Sequence, residues 1–511
     1  MLVQEFLERS AARMPDKIAL VCGNRRLSYA EIDDQANRFA AYLMAHGLQR
    51  GDRVAIYLPN GVEAVISLFG ALKAGGVFVM LNATTKFDKL VTILNDCGAT
   101  AIVAGATGVD FYQALQAGVP SLQIVIHHDH LKSAVIYAQA PGLVDFSAVM
   151  ATACDDKPAI ETIDLDLACL VYTSGSTGDS KGVMCDHSNV DFATDSIITY
   201  LGNTADDIVL NCLPLSFDYG LYQLLMVFKF GGTLVLEKGF VFPAVILQQV
   251  QRERVTGFPG VPTIFAILTN TDLTSYDLSS LRYLTNTAAA LPVSHIQALR
   301  EKFPQAQLFS MYGLTETKRT LYLPPQELDR RPGSVGGAIP GTEVWLEGED
   351  GNRLGAGEIG ELVVRGRHVM RGYWNAPEAT ARRYRPGMLP HERVCYTGDL
   401  FRRDEEGFYY FVSRKDDIIK SRGEKVSPVE LERVLYGIPG VTRAAVIGVP
   451  DDVLGEAIKV FVVCSDPALT EKDVLIYCRG HVEDYMVPKY VEFRPELPMT
   501  ESGKVLKTGL T

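Results

Sequence analysis

Leu170-Val171-Tyr172-Thr173-Ser174-Gly175-Ser176-Thr177-Gly178-Asp179-Ser180-Lys181-Gly182 is the stretch on which the reading of the whole chain turns. The apolar run Leu167–Tyr172 has the length of a buried strand. It breaks into hydroxyls and glycines at Thr173, Ser174, Gly175, Ser176, Thr177 and Gly178, and Lys181 and Gly182 close the loop. Glycines let backbone N–H groups turn toward a phosphate, hydroxyls add donors, and a lysine adds a point charge. The stretch reads as a holder for the polyphosphate of a nucleotide. It is not the Walker loop, which needs a second glycine directly before Lys-Ser/Thr; here Ser180 precedes Lys181 and Gly182 follows it. The alternative is a Ser/Gly-rich surface loop, but so many donors directly after a buried strand argue against it.

The bulk numbers narrow the class. A chain of 511 residues suggests two to four compact units, at ~100–200 residues each. Hydrophobic residues at 47% and charged residues at 22% fit a globular protein with a large core. A net charge of −12 disfavours nucleic acid as partner, whereas ATP needs only a local basic site. The nine cysteines contain no Cys-x-x-Cys pair, so neither a zinc ribbon nor a disulfide framework is suggested, and a cytoplasmic, reducing setting fits. Met1–Ser10 carries Glu5, Glu8 and Arg9, unlike a signal peptide. The chain has no apolar run of the ~18 residues that a membrane span requires.

Outward from the loop, strands and helices alternate. On the N-terminal side a helix is expected over Met1–Arg13. A hairpin follows around Gly23-Asn24, then a helix from Ser28 with Glu31 in a capping-box position. Val54–Leu58, Gly61–Lys73, Val77–Leu81, Leu90–Cys97 and Ala101–Ala104 continue as strand, helix, strand, helix and strand. Such alternation implies a parallel sheet with covering helices. His127-His128-Asp129-His130 is expected to be a solvated loop and not a metal site, because adjacent ligands on an extended chain splay apart. On the C-terminal side, Val209–Leu213, Thr233–Leu236, Leu281–Thr285 and Leu308–Met311 read as strands, and Val255–Pro262 as a stiff strand end. Ligands bind outside the carboxyl ends of parallel strands, so the loops there should crowd around one site shared with the phosphate loop. From Gly336 the chain turns into short strands, a small β region. Beyond the charged break Arg414–Asp417 comes a compact α+β unit of about a hundred residues, enough to fold separately.

At this point the chain resembles the adenylate-forming ligases, which include acyl-CoA synthetases, carrier-protein-loading adenylation enzymes and luciferases. The resemblance spans essentially the whole chain. It rests on the phosphate loop 173–182, Tyr312-Gly313-Leu314-Thr315-Glu316, and Tyr396-Thr397-Gly398-Asp399-Leu400. Ser413–Lys420 continues it through Arg422-Gly423 to Pro428-Val429-Glu430, and Pro498–Lys504 completes it. The resemblance implies an α/β fold. A large N-terminal domain, 1–414, would have parallel-type sheets covered by helices plus the small β region. A smaller mobile α+β domain, 415–511, would carry the catalytic lysine. It further implies ATP, Mg²⁺ and coenzyme A, or the phosphopantetheine of a carrier protein acting in trans, as cofactors and partners of a small carboxylic acid.

The resemblance also implies roles. Tyr312 would stack on adenine, Thr315 donate to the α-phosphate, and Glu316 hold Mg²⁺, a hard ion suited to carboxylate and phosphate oxygens. Asp399 would accept the ribose hydroxyls, with an Asx-turn after Gly398 as the alternative, and Arg414 would touch the ribose. Lys504, on composition alone a solvated tail residue, would stabilise charge building on the α-phosphoryl oxygens. Asp416 would be the hinge, and Gly423 would leave room for a pantetheine arm. The acid pocket would involve Asp218, Tyr219, Tyr222, Gly260, Asn286, Met311 and Arg319. Asp218 either binds a substrate amine or caps the following helix; Arg319 either holds a polar or anionic acyl tail or pairs with a nearby acid at the surface. Asp179-Ser180, Lys425 and the basic Thr317-Lys318-Arg319 depart from the usual pattern. A carboxylic acid–CoA ligase leads. An amino- or aryl-acid ligase loading a carrier protein and a non-enzymatic binding relative are the alternatives.

Overall fold

The computed structural model describes residues 1–105, 108–128, 142–154, 157–158, 161–174, 180–287, 291–421, 424–451, 454–500 and 505–510. Two sheets organise the larger part. The first has nine strands, running in space from Gly337–Ala338 and Leu321–Leu323 through Gln307–Tyr312, Tyr283–Asn286, Gly257–Gly260, Ile208–Asn211, Thr233–Leu236 and Ile18–Cys22 to Arg25–Ser28. The inner strands, from Gln307–Tyr312 to Ile18–Cys22, are parallel; the flanking ones are antiparallel. The second sheet has seven strands in the order Leu143–Asp145, Ile124–His128, Ala99–Gly105, Arg53–Tyr57, Val77–Met80, Leu167–Ser174 and Ser180–Asp186. Only the last pairing in it is antiparallel.

Two helices sit in the core. Val62–Lys73 and Asp218–Phe230 are buried around nearly their whole circumference. A helix without a solvated face is mostly apolar all round, and both are; Ser67, Lys73, Asp218 and Gln223 are their buried polar residues. Lys73 is matched: its ammonium lies 2.8 Å from Asp33 and 3.2 Å from Glu8, and it donates to Asn37 at 2.7 Å. The expected capping box is present, with Ser28 Oγ accepting from the Glu31 N–H and Glu31 accepting from the Ser28 N–H.

The short-strand region is a sheet of Glu343–Glu347, Ile359–Arg365, Arg393–Arg403, Tyr384–Pro386 and Tyr409–Arg414. It begins later than the sequence suggests, because Gly337–Ala338 pairs with the nine-stranded sheet. After the single 3₁₀ turn Lys415–Asp417 comes a five-stranded sheet with the helices Pro428–Leu435 and Glu471–Arg479, packed around cores of its own.

One expectation is corrected outright. His127 is not in a solvated loop: it ends the parallel strand Ile124–His128 with His128, is 2% exposed, and has Nε2 3.5 Å from an Asp145 carboxylate oxygen. Parallel pairing with Ala99–Gly105 carries the strand past the apolar run that marks it in the sequence. Asp129 and His130 lie outside the described residues.

Candidate active site

The phosphate stretch is an antiparallel hairpin. Leu167–Ser174 rises, Ser180–Asp186 returns, and Thr173 faces Lys181 in the register. Gly175, Ser176, Thr177, Gly178 and Asp179 lie outside the described residues. Lys181 and Gly182 therefore belong to the returning strand and do not close a loop. The ladder, which composition cannot reveal, overrides the loop-like Ser-Lys-Gly string. A Cβ at Gly182 would come to 3.0 Å from the cross-strand Tyr172 ring, a tight contact that glycine avoids.

A segment remote in sequence clamps the returning strand. Met184 donates to the Gly372 carbonyl at 2.9 Å, Arg371 to the Met184 carbonyl at 3.2 Å, and Trp374 to the Gly182 carbonyl at 2.7 Å. This clamp brings in Tyr373. The Lys181 ammonium sits 5.8 Å from the centre of its ring, and its hydroxyl donates to Oε1 of Glu316. Burial and the neighbouring Glu316 carboxylate push the Tyr373 phenol up, so it stays a donor. Arg383 approaches the same group, with Nε 3.4 Å from the Tyr373 hydroxyl and one terminal nitrogen donating to the Tyr396 carbonyl at 3.0 Å. Burial opposes its charge, but Glu316 and Tyr373 outweigh that, and it stays a cation.

Tyr312 ends its parallel strand beside this cluster. Its ring packs edge-on against Phe401 at 4.8 Å, and its hydroxyl donates to Asp399 at 2.6 Å. Burial and the Asp399 carboxylate hold its pKa well above the ordinary phenol range. Asp399 lies within the strand Arg393–Arg403, opposite Arg414 in the register, and accepts from Arg414 Nε at 3.3 Å. Its carboxylate thus reaches across to two other elements, which the Asx-turn alternative does not describe. Thr315 sits half-buried in the turn between Tyr312 and Glu316.

The expected acid-pocket residues gather beside it. Gly260, Asn286 and Ser310 form one row across three adjacent parallel strands, and Met311 follows Ser310. Asn286 and Met311 are buried. Tyr219 and Tyr222 come from the core helix Asp218–Phe230, and the Tyr219 hydroxyl donates to the Thr285 carbonyl at 2.7 Å. Asp218 is the first helical residue and Phe217 the N-cap, so the capping alternative for Asp218 is set aside. Arg319 is not a surface residue: it is 4% exposed, with its guanidinium 4.4 Å from the centre of the Tyr219 ring.

Asp416 lies in the 3₁₀ turn after Arg414; Gly423 and Lys504 fall outside the described residues. Sequence reasoning missed Tyr373 and Arg383. Gly372-Tyr373-Trp374 stands between the small-β strands with no periodicity to mark it, and only the bridge to the phosphate hairpin reveals it.

Comparison with known proteins shows the family. The AMP-binding enzyme family matches residues 7–374, and the AMP-binding enzyme C-terminal domain matches residues 430–504. The chain is 35% identical to a long-chain-fatty-acid–CoA ligase of Bacillus subtilis (strain 168), over 99% of this chain and 94% of that one. It is 36% identical to a feruloyl-CoA synthase of an Amycolatopsis species, over 98% and 96%. ATP-bound MatB from Rhodopseudomonas palustris superposes with a TM-score of 0.89 at 30% identity, covering 100% of this chain and 98% of that one. Among the described residues no helix is long and apolar enough to cross a membrane. The chain belongs to the AMP-binding enzyme family, the adenylate-forming ligases.

Proposed function

We propose that this chain is an AMP-forming carboxylic acid–CoA ligase. A carboxylate oxygen attacks the α-phosphate of ATP, the bond to the β-phosphate breaks, and pyrophosphate leaves. The thiol of CoA then attacks the acyl carbonyl, and AMP leaves. The observation that carries this reading is the meeting of Lys181, from the phosphate hairpin, and Glu316, from the Tyr312 loop, on the single residue Tyr373. It joins a polyphosphate-binding strand to a buried carboxylate at the carboxyl edge of a parallel sheet, where nucleotides bind. The likeness over nearly the full chain to proteins named as CoA ligases supports the same reading.

The residues divide the work. Thr173, Ser174, Gly175, Ser176, Thr177, Gly178 and Lys181 grip the β- and γ-phosphates. Tyr312, Asp399 and Arg414 take the adenosine, with the Asp399 carboxylate, which accepts from Tyr312 and Arg414, turned to the ribose hydroxyls. Thr315 donates to the α-phosphate. Glu316 fits Mg²⁺: Tyr373 occupies one of its oxygens, and no cluster of three or more His, Cys, Asp or Glu exists among the described residues to form an all-protein cage. Mg²⁺ keeps water and phosphate oxygens and needs only one or two carboxylates. When bound, it offsets polyphosphate charge. Lys504 supplies the cation for the α-phosphoryl oxygens in the transition state. The boundary lies at 414/415, a division supported by the separate core that begins at Ile419. Asp416 is the hinge about which the smaller domain moves between the half-reactions, with Gly423 beside the thiol path.

ATP–pyrophosphate exchange over a panel of carboxylic acids tests the first half-reaction, and exchange is expected with at least one acid. Thioester formation with CoA, compared with a holo-carrier protein, tests the second; CoA is expected to be the better acceptor. Exchange with no acid at all would leave a binding protein, and a carrier preferred over CoA would move the chain to the carrier-loading branch.

A further inference from the structure

Buried lysines in this protein are paired. Lys73 has Glu8 and Asp33, and Lys229 has Asp191 at 2.7 Å and Asp195 at 2.6 Å. Lys318 breaks the pattern. It is 1% exposed, and its ammonium makes no hydrogen bond or ion pair among the described residues. The nearest aromatic surface is the Tyr222 ring, whose centre is 5.4 Å away. The adjacent Arg319 rests on the Tyr219 ring, likewise without a carboxylate partner among the described residues. Tyr219 and Tyr222 are three residues apart and so share one helix face; the two cations lie side by side along it. Among the described residues the Tyr222 hydroxyl is likewise buried without a partner.

The charges do not balance. The carboxylates that act on Lys318 are Asp218 and Glu316, and Glu316 is already engaged by Tyr373 and Arg383. Asp218 is then the remaining carboxylate acting on Lys318, beside the buried thiols Cys185 and Cys169. An unpaired buried ammonium is costly, and a site that retains one is built for an incoming anion. A plain hydrocarbon acyl chain would leave both cations against methylenes, and an amine would meet like charge.

Building on the ligase reading above, we propose that the acid substrate carries a second anionic group, a carboxylate on its acyl part, received by Lys318 and Arg319 with the Tyr222 hydroxyl as further donor. These residues act as specificity determinants and take no part in bond making. The reacting carboxylate is a separate group, directed at the α-phosphate.

The test uses pairs of acids matched in length, one ending in methyl and the other in carboxylate, with hydroxyl- and amine-ended controls. Wild type, Lys318→Met, Arg319→Met and Lys318→Arg are compared by kcat/KM for ATP–pyrophosphate exchange. Wild type should favour the dicarboxylic acid at least ~10-fold, and each Met variant should lose that preference, its kcat/KM falling ~10²-fold on the dicarboxylic acid and far less on the methyl-ended acid. Lys318→Arg should keep the preference. If wild type prefers methyl-, hydroxyl- or amine-ended acids, or if Lys318→Met slows every acid equally, the proposal is overturned; the latter result would assign Lys318 to the reacting carboxylate. Should the Met variants fail to fold, the wild-type preference decides. Calorimetric binding of the same acids separates this proposal from the ligase reading. Tighter binding of the dicarboxylic acid without exchange keeps the subsite and removes the ligase, whereas binding blind to the second carboxylate removes the subsite.

Discussion

The Tyr373 hydroxyl donates to Glu316 while the Tyr373 ring lies under the Lys181 ammonium. One side chain from the small-β region therefore fixes a carboxylate from one sheet and faces a lysine from the other. Orientation of the carboxylate is what a bound magnesium ion would depend on, and that makes the hydroxyl testable apart from the ring.

Tyr373→Phe keeps the ring and removes the donor. Stability should change by about 1 kcal/mol, the net worth of one hydrogen bond. The KM for Mg²⁺-ATP in pyrophosphate exchange should rise by ~10-fold, the value of one oriented metal ligand support. Titrating exchange against Mg²⁺ checks this. An unchanged Mg²⁺ dependence would mean that Glu316 is oriented by its own loop.

Asp399→Asn keeps the shape of the side chain and removes its charge. Tyr312 and Arg414 both donate to that carboxylate, and charge-assisted bonds of this type are roughly twice as strong as neutral ones. The KM for ATP should rise at least ~10-fold while the KM for the acid stays near wild type. Steady-state kinetics with each substrate varied in turn would show the split; equal rises for both would place Asp399 in general support of the fold.

How much of this was legible in the sequence depended on whether the signal was local. Val62–Lys73 announces a buried helix because it is apolar on every side, and Ser28 with Glu31 announces its neighbour's start. The strand ends bearing Gly260, Asn286 and Tyr312 were readable because glycine, proline and polar residues interrupt apolar runs there. The helix Pro262–Thr269 was hidden, because its leading proline reads equally well as a stiff strand end. Lys181 reads as loop because its strand exists only through pairing with Leu167–Ser174. Tyr373 and Arg383 gave no signal at all, since their place is set by contacts with segments far away in the chain. Lys318 was visible as an odd charge, but its missing partner is a fact of three dimensions.

Gly313→Ala should collapse the Tyr312–Arg319 loop. A Cβ at Gly313 would lie 1.7 Å from the Lys318 carbonyl oxygen, a backbone atom that cannot swing aside. At Gly337 a Cβ meets nothing within 4 Å. Gly337→Ala should therefore be within about 0.5 kcal/mol of wild type. Gly313→Ala should cost several-fold more and abolish exchange, because Glu316 and Lys318 move with the loop. Urea unfolding and exchange on the two variants decide it; similar behaviour of the pair would contradict the geometry.

His187 predicts a pH dependence of stability. It is 1% exposed, and its Nδ1 accepts the Val3 N–H at 3.0 Å. Burial pulls its pKa from 6.5 down to about 4, with the N-terminal ammonium adding to the effect against Asp166 and Asp164. The folded state thus favours the neutral ring, and between pH 6.5 and 4 the unfolded chain takes up the proton more readily. Its contribution is complete above pH 6.5 and is lost as pH falls toward 4, by about 3 kcal/mol over the whole range. His187→Gln retains an acceptor and does not titrate. Urea midpoints at neutral and acid pH should fall further in wild type than in the variant. Parallel losses would assign the acid sensitivity to carboxylates.

Lys504→Ala and Gly423→Leu should separate the two half-reactions. Two anions approach in the first, the acid and the α-phosphate, and negative charge builds on the α-phosphoryl oxygens. A cation placed there stabilises the transition state more than the ground state, so Lys504→Ala should slow pyrophosphate exchange by at least ~10²-fold. Thioester formation from preformed acyl-adenylate needs no such charge and should stay near wild type in the same variant. With Gly423 proposed beside the thiol path, Gly423→Leu should do the reverse, its added side chain obstructing the thiol and sparing adenylation. Exchange followed beside CoA-dependent AMP release on both variants gives a two-by-two comparison. If Gly423→Leu slows both steps alike, the residue supports the smaller domain and does not line the thiol path; if Lys504→Ala leaves exchange intact, the α-phosphate is served by a different cation, with Lys181 and Arg383 the first to examine since both face Tyr373.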